Sequence, residues 1–271
     1  MKKELIVVLG NKWYGDPFTH LGKISTSIAD IIKNKKDILL VVFTGGEDIH
    51  PSFYNGRDCG ISQTNKARDD YEIKIFNFCL ENEIKMVGIC RGSQFLNVMA
   101  GGFMYQHITG HAIFGLHWII YPTLSQKLSS CSLICQHIAK RYFWDPEIIY
   151  PVLGRRVLVT STHHQLIGLA KSGIPIAHTD GRISQKYIGP QGDIVSPPIE
   201  ELEAAVFPEI NALGAQFHPE CMRDSLPGKM VYRVMVEDFV NLLMKDFIAK
   251  YGYCYKEKDE NGRETQAAKI G

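Results

Sequence analysis

Short apolar runs alternate along the chain with longer segments whose apolar residues recur at helical spacing. Runs of this length that are rich in β-branched residues predict strands buried on both faces. The predicted strands are Leu5–Leu9, Ile38–Phe43, Met86–Cys90, Val157–Ser161, Ile174–His178, Ala204–Phe207 and Leu213–Phe217. The predicted helices are Thr19–Asn34, Lys66–Asn82, Ser93–Ala100 and Pro227–Lys250. This alternation indicates an α/β fold with a largely parallel sheet and helices on both faces.

Sites in such sheets form at the carboxyl ends of the strands, which directs attention to the residues after Phe43, Ile89 and Phe217. Residues 1–255 are predicted to form one domain without internal repeats. Residues 256–271 are polar and are predicted to be a disordered tail.

Cys90 stands between Gly88 and Gly92 at a predicted strand-to-helix turn. This spacing matches a nucleophile elbow, in which glycines are needed because side chains two residues before and after the nucleophile would collide. The dipole at a helix N-terminus favours a thiolate, and the first backbone N–H groups point where an oxyanion would form. The alternative is a buried structural cysteine in a short and common pattern.

The loops after Phe217 and Phe43 carry residues that could assist a nucleophile at Cys90. His218 and Glu220 are two residues apart, so in extended chain they share a face, and the carboxylate could hold the imidazole in one tautomer. Gly45 and Gly46 would let a substrate approach backbone N–H groups closely. Taken singly, these patterns also fit a solvated loop histidine and an ordinary glycine turn.

Composition narrows the class of partner. The chain has 271 residues, with 30 Lys plus Arg against 29 Asp plus Glu, so its formal net charge is +1. Such a balance supplies no general field for a nucleic acid backbone or an anionic membrane, and a small-molecule substrate is expected instead. No stretch approaches the roughly 20 apolar residues of a membrane span.

The cysteines predict a reducing compartment. There are seven, an odd number, without a C-x-x-C pair, and the apolar run before Gly10 is too short for a signal peptide, so we expect free thiols in the cytoplasm. Cys131, Cys135 and His137 are close in sequence, but no fourth ligand is apparent, and neither a metal nor a cofactor is predicted.

Together, the ordered motifs resemble the class I glutamine amidotransferase-like superfamily, and within it the γ-glutamyl-γ-aminobutyrate hydrolase group of peptidase family C26. The general motifs are Thr44–Asp48, Gly88–Gln94 and His218–Glu220. Finer matches are Gly45–Tyr54 to G-G-x-D-(I/V)-x-P-x-x-Y, Arg68–Glu72 to R-D-x-(F/Y)-E, Leu96–Gly102 to L-N-V-x-x-G-G, and Thr160–Gln165 to N-S-x-H-H-Q.

The resemblance implies a flavodoxin-like fold and a set of roles. Cys90 would be the nucleophile, His218 the base and Glu220 the orienting acid. Backbone N–H groups of Arg91 and of the Gly45–Gly46 loop would bind the oxyanion. The remaining candidates for substrate contact are Gln94, His163, His164 and Gln165, of which the two histidines could instead simply pack. The Arg91 side chain could be structural or could receive a substrate carboxylate.

The implied reaction is cleavage of the γ-glutamyl amide bond of a small compound through a thioester, releasing glutamate and an amine. The alternative is a stand-alone glutaminase subunit that supplies ammonia to a separate synthetase partner. A third hypothesis is a non-catalytic protein that retains the fold.

Three segments depart from the family pattern and would flank the mouth of the site, where they would affect which substrate is bound. Residues 111–156 form a long aromatic-rich insertion that could be a lid, an oligomer interface such as that of a homodimer, or core. The usual D-G-x-I-E-A-x-E is read here as Asp180–Tyr187, with both acids missing, and Gly189–Glu203 is predicted to be an added loop.

Overall fold

The structure is a computed structural model, and it describes residues 4–112, 115–122, 156–224 and 226–253, together with the backbone of 255–258 and 264–267. The helices are α1 Ala29–Lys33, α2 Lys66–Glu81, α3 Arg91–Met99, α4 Pro227–Asn241 and α5 Met244–Tyr251. The strands are β1 Leu5–Leu9, β2 Lys23–Ser25, β3 Ile38–Phe43, β4 Met86–Ile89, β5 Phe103–Tyr105, β6 His107–Ile108, β7 Gly115–Ile120, β8 Val157–Ser161, β9 Leu166–Gly168, β10 Ile174–Thr179, β11 Tyr187–Ile188, β12 Leu202–Phe207, β13 Ala212–Ala215, β14 Tyr255–Lys258 and β15 Glu264–Ala267.

A nine-stranded sheet organises the fold, in the order β2-β1-β3-β4-β13-β12-β10-β7-β8. The five strands from β2 to β13 run parallel, and each later neighbour pairs antiparallel. The expected α/β architecture is therefore confirmed, with the antiparallel half as an addition. Among the described residues, no helix is long and apolar enough to cross a membrane.

Helices cover both faces of the parallel half. In β1, Ile6 and Val8 join an apolar cluster with residues of α4 and α5, while Val7 and Leu9 join a second cluster with residues of α1, α2 and α3. Successive strand side chains point to opposite faces, so a strand covered on both sides must be apolar at every position. The continuous apolar runs in the sequence have this cause.

The register brings the three sequence-predicted loops together. Phe43 of β3 lies opposite Gly88 of β4, and Ile89 of β4 lies opposite Ala215 of β13. Because these three strands are parallel neighbours, the residues that follow them meet at one edge of the sheet.

Two predicted helices were wrong in extent. The segment predicted as a helix over Thr19–Asn34 contains β2 and the short α1. A side chain at Gly22 would lie 2.1 Å from the Glu4 carbonyl oxygen, so the chain passes too close to β1 for a helix. The predicted helix Pro227–Lys250 is two helices, separated by extended backbone at Leu242 and Leu243. The Lys85 ammonium donates to the carbonyls of Phe239, Val240 and Leu242 and caps the end of α4.

The described parts of the insertion and of the tail contain strands. Within residues 111–156, β7 joins the main sheet between β10 and β8, and residues 113–114 and 123–155, which include Cys131, Cys135 and His137, lie outside the described residues. In the tail predicted to be disordered, the backbones of β14 and β15 pair antiparallel.

Candidate active site

Cys90 occupies a strained turn between β4 and α3. Its backbone has φ 51° and ψ −112°, a conformation that costs a non-glycine residue of order 1–3 kcal/mol. A side chain at Gly88 would lie 2.4 Å from the Gly92 carbonyl, and one at Gly92 would lie 2.1 Å from the carbonyl oxygen of Phe43. The two glycines therefore allow the turn to pack against itself and against β3, and the thiol is held at the first turn of α3.

His218 is fixed from both sides. Its backbone N–H donates to the carbonyl of Thr160 at 2.8 Å, which ties the residue to β8. Its Nδ1 lies 2.6 Å from Glu220 Oε1, and its Nε2 lies 2.9 Å from Thr162 Oγ1. The Glu220 side chain is fully buried, so its carboxylate orients the ring at low dielectric.

The electrostatics of the imidazole follow from these contacts. Burial disfavours the charged ring, but hydrogen bonds with Cys221, Cys90 and Glu220 outweigh burial and raise the pKa of His218 above its ordinary value. The cysteine, the histidine and the glutamate therefore form one connected group that favours an imidazolium.

The glycine loop lies against this group. A side chain at Gly45 would meet the Tyr14 hydroxyl at 2.6 Å and His218 Cε1 at 3.2 Å. Burial, followed by the charge of Glu220, raises the pKa of Tyr14 to about 12. The Tyr14 and His218 rings are 6.4 Å apart at their centroids. Glycine at position 45 keeps space open between the histidine and the loop.

Arg68 clamps the glycine loop from α2. Its Nη2 donates to the carbonyls of Thr44 at 3.1 Å and Gly45 at 3.0 Å, and its Nη1 pairs with Glu47 at 2.9 Å. Gly46 has φ 139°, and a side chain there would lie 2.1 Å from Arg68 Nη1. The guanidinium fork is thus matched to the loop backbone.

The Arg91 side chain has a structural role. It is 1% exposed and pairs with the carboxylates of Asp69 and Glu72 on α2. This decides between the two alternatives left open by the sequence, because a guanidinium bound in this way cannot receive a substrate. It also explains the R-D-x-(F/Y)-E pattern, whose arginine holds the glycine loop and whose acids hold the residue after Cys90.

The other candidate residues divide between core and surface. Gln94 is buried one turn along α3 from Cys90. His163 contacts Glu203, and Gln165 donates to Ser62 Oγ at 2.8 Å, so both are buried among protein groups. His164 is one-third exposed and lies 3.0 Å from Asp48 Oδ2, which makes it the accessible member of the three.

Sequence reasoning missed three residues that lie around His218. Thr162 occupies the variable position of the Thr160–Gln165 motif, and Cys221 directly follows the H-P-E motif. Tyr14 follows β1, the neighbour of β3, so the rule of carboxyl strand ends could have found it.

The family model of Peptidase C26 matches residues 23–185. The chain belongs to the Peptidase C26 family. A protein of Schizosaccharomyces pombe provisionally named a glutamine amidotransferase is 27% identical over 194 residues, covering 70% of this chain and 65% of its own length. A glutamine amidotransferase-like protein of Lactococcus lactis is 29% identical over 185 residues, covering 67% and 65% respectively. The match therefore spans slightly less than two thirds of these relatives.

Two further similarities are local or structural. The gamma-glutamyl-CDP-amidate hydrolase of Campylobacter jejuni is 39% identical over 59 residues, covering 22% of this chain and 26% of that protein. The crystal structure of a glutamine amidotransferase from Thermotoga maritima aligns with 92% of this chain and 85% of its own, at a TM-score of 0.46 and 15% identity.

One departure from the family pattern needs correction. The segment predicted as an added loop, Gly189–Glu203, ends inside β12, where Leu202-Glu203-Ala204 matches the I-E-A part of D-G-x-I-E-A-x-E. The pattern is interrupted after Asp180-Gly181 and resumes in β12. The first acid is therefore present as Glu203, which is fully buried, and Val206 stands at the second acidic position.

Proposed function

We propose that the chain hydrolyses the γ-glutamyl amide bond of a small compound, with Cys90 as nucleophile. The observation that carries the proposal is the interaction of Cys90, at the start of α3, with His218, whose ring is held by Glu220, beside a glycine loop that is held open. This arrangement has the parts that amide hydrolysis needs, namely a nucleophile, a proton carrier and an orienting acid.

The first half-reaction forms a thioester. The Cys90 thiol gives its proton to His218, and the thiolate attacks the γ-carbonyl carbon of the substrate. The tetrahedral intermediate collapses as the C–N bond breaks, and the His218 imidazolium protonates the departing amine. The raised pKa of His218 keeps this proton available.

The second half-reaction releases glutamate. His218, now neutral, accepts a proton from water, and the resulting hydroxide attacks the thioester carbonyl. The C–S bond then breaks and His218 returns the proton to the Cys90 thiolate. Glu220 keeps the imidazole in one orientation throughout, and no step needs a further reactant.

Two backbone N–H groups would stabilise both tetrahedral intermediates. Arg91 is the first residue of α3, so its N–H has no acceptor within the helix. The second donor would come from the Gly45–Gly46 loop. Each such donor contributes about 3–4 kcal/mol to lowering the barrier.

The γ-glutamyl substrate class rests on the relatives. The C. jejuni relative is named for hydrolysis of a γ-glutamyl-CDP-amidate, which supports the same bond type here, with a leaving group to be identified. The names of the S. pombe and L. lactis relatives support a second function, glutaminase activity that feeds ammonia to a partner synthetase.

A panel of γ-glutamyl compounds tests the proposal. Glutamate release is measured with glutamine, γ-glutamyl-γ-aminobutyrate, γ-glutamyl peptides and γ-glutamyl nucleotides, each with and without cell extract. We expect release from one or more of the γ-glutamyl amines or nucleotides, and its loss in Cys90→Ala. Cleavage of glutamine alone, stimulated by extract, would favour the glutaminase. No release from any compound would refute both.

A further inference from the structure

A second cluster of titratable side chains includes none of Cys90, His218 and Glu220. It comprises His111, which follows β6, His117 of β7, His163, which follows β8, and Glu203 of β12. The side chains of His111 and Glu203 are fully buried, that of His163 is 1% exposed and that of His117 is 14% exposed. These residues bring four separate segments of the chain to one point.

The three histidines converge on Glu203, but not all of their nitrogens form hydrogen bonds with it. His117 Nε2 lies 3.1 Å from Glu203 Oε1, and His111 Nδ1 and His163 Nε2 each lie 3.3 Å from the same oxygen. Among the described residues, His111 Nδ1 and His117 Nε2 have no hydrogen-bond partner, although an oxygen is this near. Their nitrogens are therefore not aligned on the carboxylate, as they would be in a simple hydrogen-bonded network.

The three distances to Glu203 Oε1 fit edges of a coordination tetrahedron. Bonds of about 2.0–2.1 Å from Zn²⁺ to imidazole nitrogen and carboxylate oxygen place neighbouring ligand atoms about 3.3–3.4 Å apart. The ligand atoms of His111, His163 and Glu203 all lie within 4.8 Å of one another. His117 lies outside this group of three, and its Nε2 reaches the cluster through the 3.1 Å contact to Glu203 Oε1.

In two of the histidines, the ring nitrogen that faces away from Glu203 Oε1 has an oxygen partner, as is usual for histidines that bind a metal. His163 Nδ1 lies 2.8 Å from the Gln165 carbonyl oxygen, so that Nε2, 3.3 Å from Glu203 Oε1, is the nitrogen that would coordinate. His111 Nε2 lies 3.3 Å from Glu201 Oε2, which leaves Nδ1 free. Glu201 is itself fixed by the Tyr187 hydroxyl at 2.5 Å. Such outer partners set the tautomer and the ring orientation of ligating histidines.

The charges of the buried carboxylates also favour a bound cation. Glu201 and Glu203 are 2% and 0% exposed, and buried carboxylates are costly unless they are compensated. Three neutral imidazoles supply no charge, whereas one divalent cation would neutralise both carboxylates. Imidazole with a single direct carboxylate is a donor set suited to Zn²⁺.

We propose that His111, His117, His163 and Glu203 bind a divalent transition metal ion, with Zn²⁺ the best fit, as a structural site. The ion would link four parts of the chain, which are the loop after β6, strand β7, the segment after β8 and strand β12. It also positions the candidate active site, because Thr162, the residue before His163, contacts His218 Nε2. The proposal does not depend on the proposed reaction.

The competing account is a metal-free cluster. There, burial lowers the pKa of His111, but the carboxylates of Glu201 and Glu203 outweigh burial and raise it to about 9, so that a charged His111 would bridge the two acids. The two accounts differ in metal content and in the response to chelators, and both can be measured on the intact chain.

The test begins with metal binding by the full-length chain. The protein is stripped with a chelator and titrated with Co²⁺, then with competing Zn²⁺, and the zinc content of reloaded protein is measured. We expect one metal per chain, a visible spectrum of tetrahedral cobalt with nitrogen and oxygen ligands, and a Tm raised by Zn²⁺. Failure to bind either ion at micromolar concentration would overturn the proposal. A thiolate-to-cobalt band would also overturn it, because it would place the ion at cysteines such as Cys221, which lies near His218 and Glu220.

Variants locate the ion. Glu203→Gln should lower Co²⁺ affinity by more than the 10–100-fold that loss of an outer partner typically costs. His178→Gln is the matched control, because His178 is a half-buried histidine 3.8 Å from Glu200, outside the cluster. We expect unchanged affinity in this control, and equal affinity in both variants would overturn the proposal. If Glu203→Gln does not fold, His117→Gln, at the most exposed member of the cluster, replaces it.

Discussion

Arg68→Lys is the substitution that best separates the glycine loop from the rest of the candidate site. Arg68 contacts five acceptors, which are Thr44 O at 3.1 Å, Thr44 Oγ1 at 3.2 Å, Gly45 O at 3.0 Å, Glu47 Oε2 at 2.9 Å and Glu72 Oε1 at 2.9 Å. Lysine keeps the positive charge but has three donors on one atom and no planar fork. It can hold the carboxylates or the loop carbonyls, but not both.

The size of the effect follows from what the loop does. Full loss of one oxyanion donor lowers kcat by about 100- to 1,000-fold. A loop that is loosened but still present should lose less, so we expect kcat to fall about 10- to 100-fold. KM should change little, because the oxyanion forms only in the transition state. The lost charge-assisted hydrogen bonds should lower the free energy of unfolding by about 2 kcal/mol.

Glutamate release at saturating substrate, followed with urea unfolding, measures both quantities. Lys66→Met is the matched control, because Lys66 lies half a turn away on α2 and its ion pair with Asp70 is exposed. The control should keep wild-type kcat and stability within experimental scatter. An Arg68→Lys variant with wild-type kcat would refute the argument that Arg68 positions an oxyanion donor.

Three further predictions test other parts of the site. Glu220→Gln should lower kcat about 100- to 10,000-fold. Because the hydrogen bond that Glu220 accepts from the ring helps raise the pKa of His218, the alkaline limb of the pH–rate profile should move to lower pH, and an unmoved limb would contradict this role. Gly92→Ala puts a methyl 2.1 Å from a β3 carbonyl oxygen and should lower the free energy of unfolding in urea by about 3 kcal/mol or more. Gly101→Ala is the control, with open space but φ 89°, and should lower it by about 1–2 kcal/mol. Equal losses would count against the close packing of the turn. Cys221→Ala should keep kcat within a few-fold, and a loss as large as that of Cys90→Ala would make Cys221 part of the chemistry.

The part of the candidate site that local chain geometry dictates could be predicted from the sequence. Gly88 and Gly92 are required by contacts within a few residues of Cys90, and His218 and Glu220 are separated by only one residue. The roles of Arg91 and His163 could not be predicted in this way. Their side chains are defined by Asp69, Glu72 and Glu203, which are close only after the sheet and α2 have packed.

The fold shows the same division. Strands such as Ile38–Phe43 carry their own signal, because burial on both faces demands an apolar residue at every position. The end of α4 carries no local signal, because its C-terminal carbonyls are capped by Lys85 from the segment before β4. Glu203 was predicted to lie in a loop because an inserted segment separates Asp180-Gly181 from Leu202-Glu203-Ala204, the two halves of D-G-x-I-E-A-x-E. These halves are close only in the folded sheet.

The proposed reaction requires a thioester between Cys90 and the γ-glutamyl group, and the intact mass of the protein can detect it. The enzyme is mixed with a cleaved γ-glutamyl substrate, quenched in acid at times shorter than one turnover, weighed, and mapped by peptide. We expect a mass increase of one glutamyl residue on the peptide that contains Cys90, absent in Cys90→Ala and present in Cys221→Ala. Glutamate release with no adduct on Cys90, or with the adduct on another residue, would contradict it.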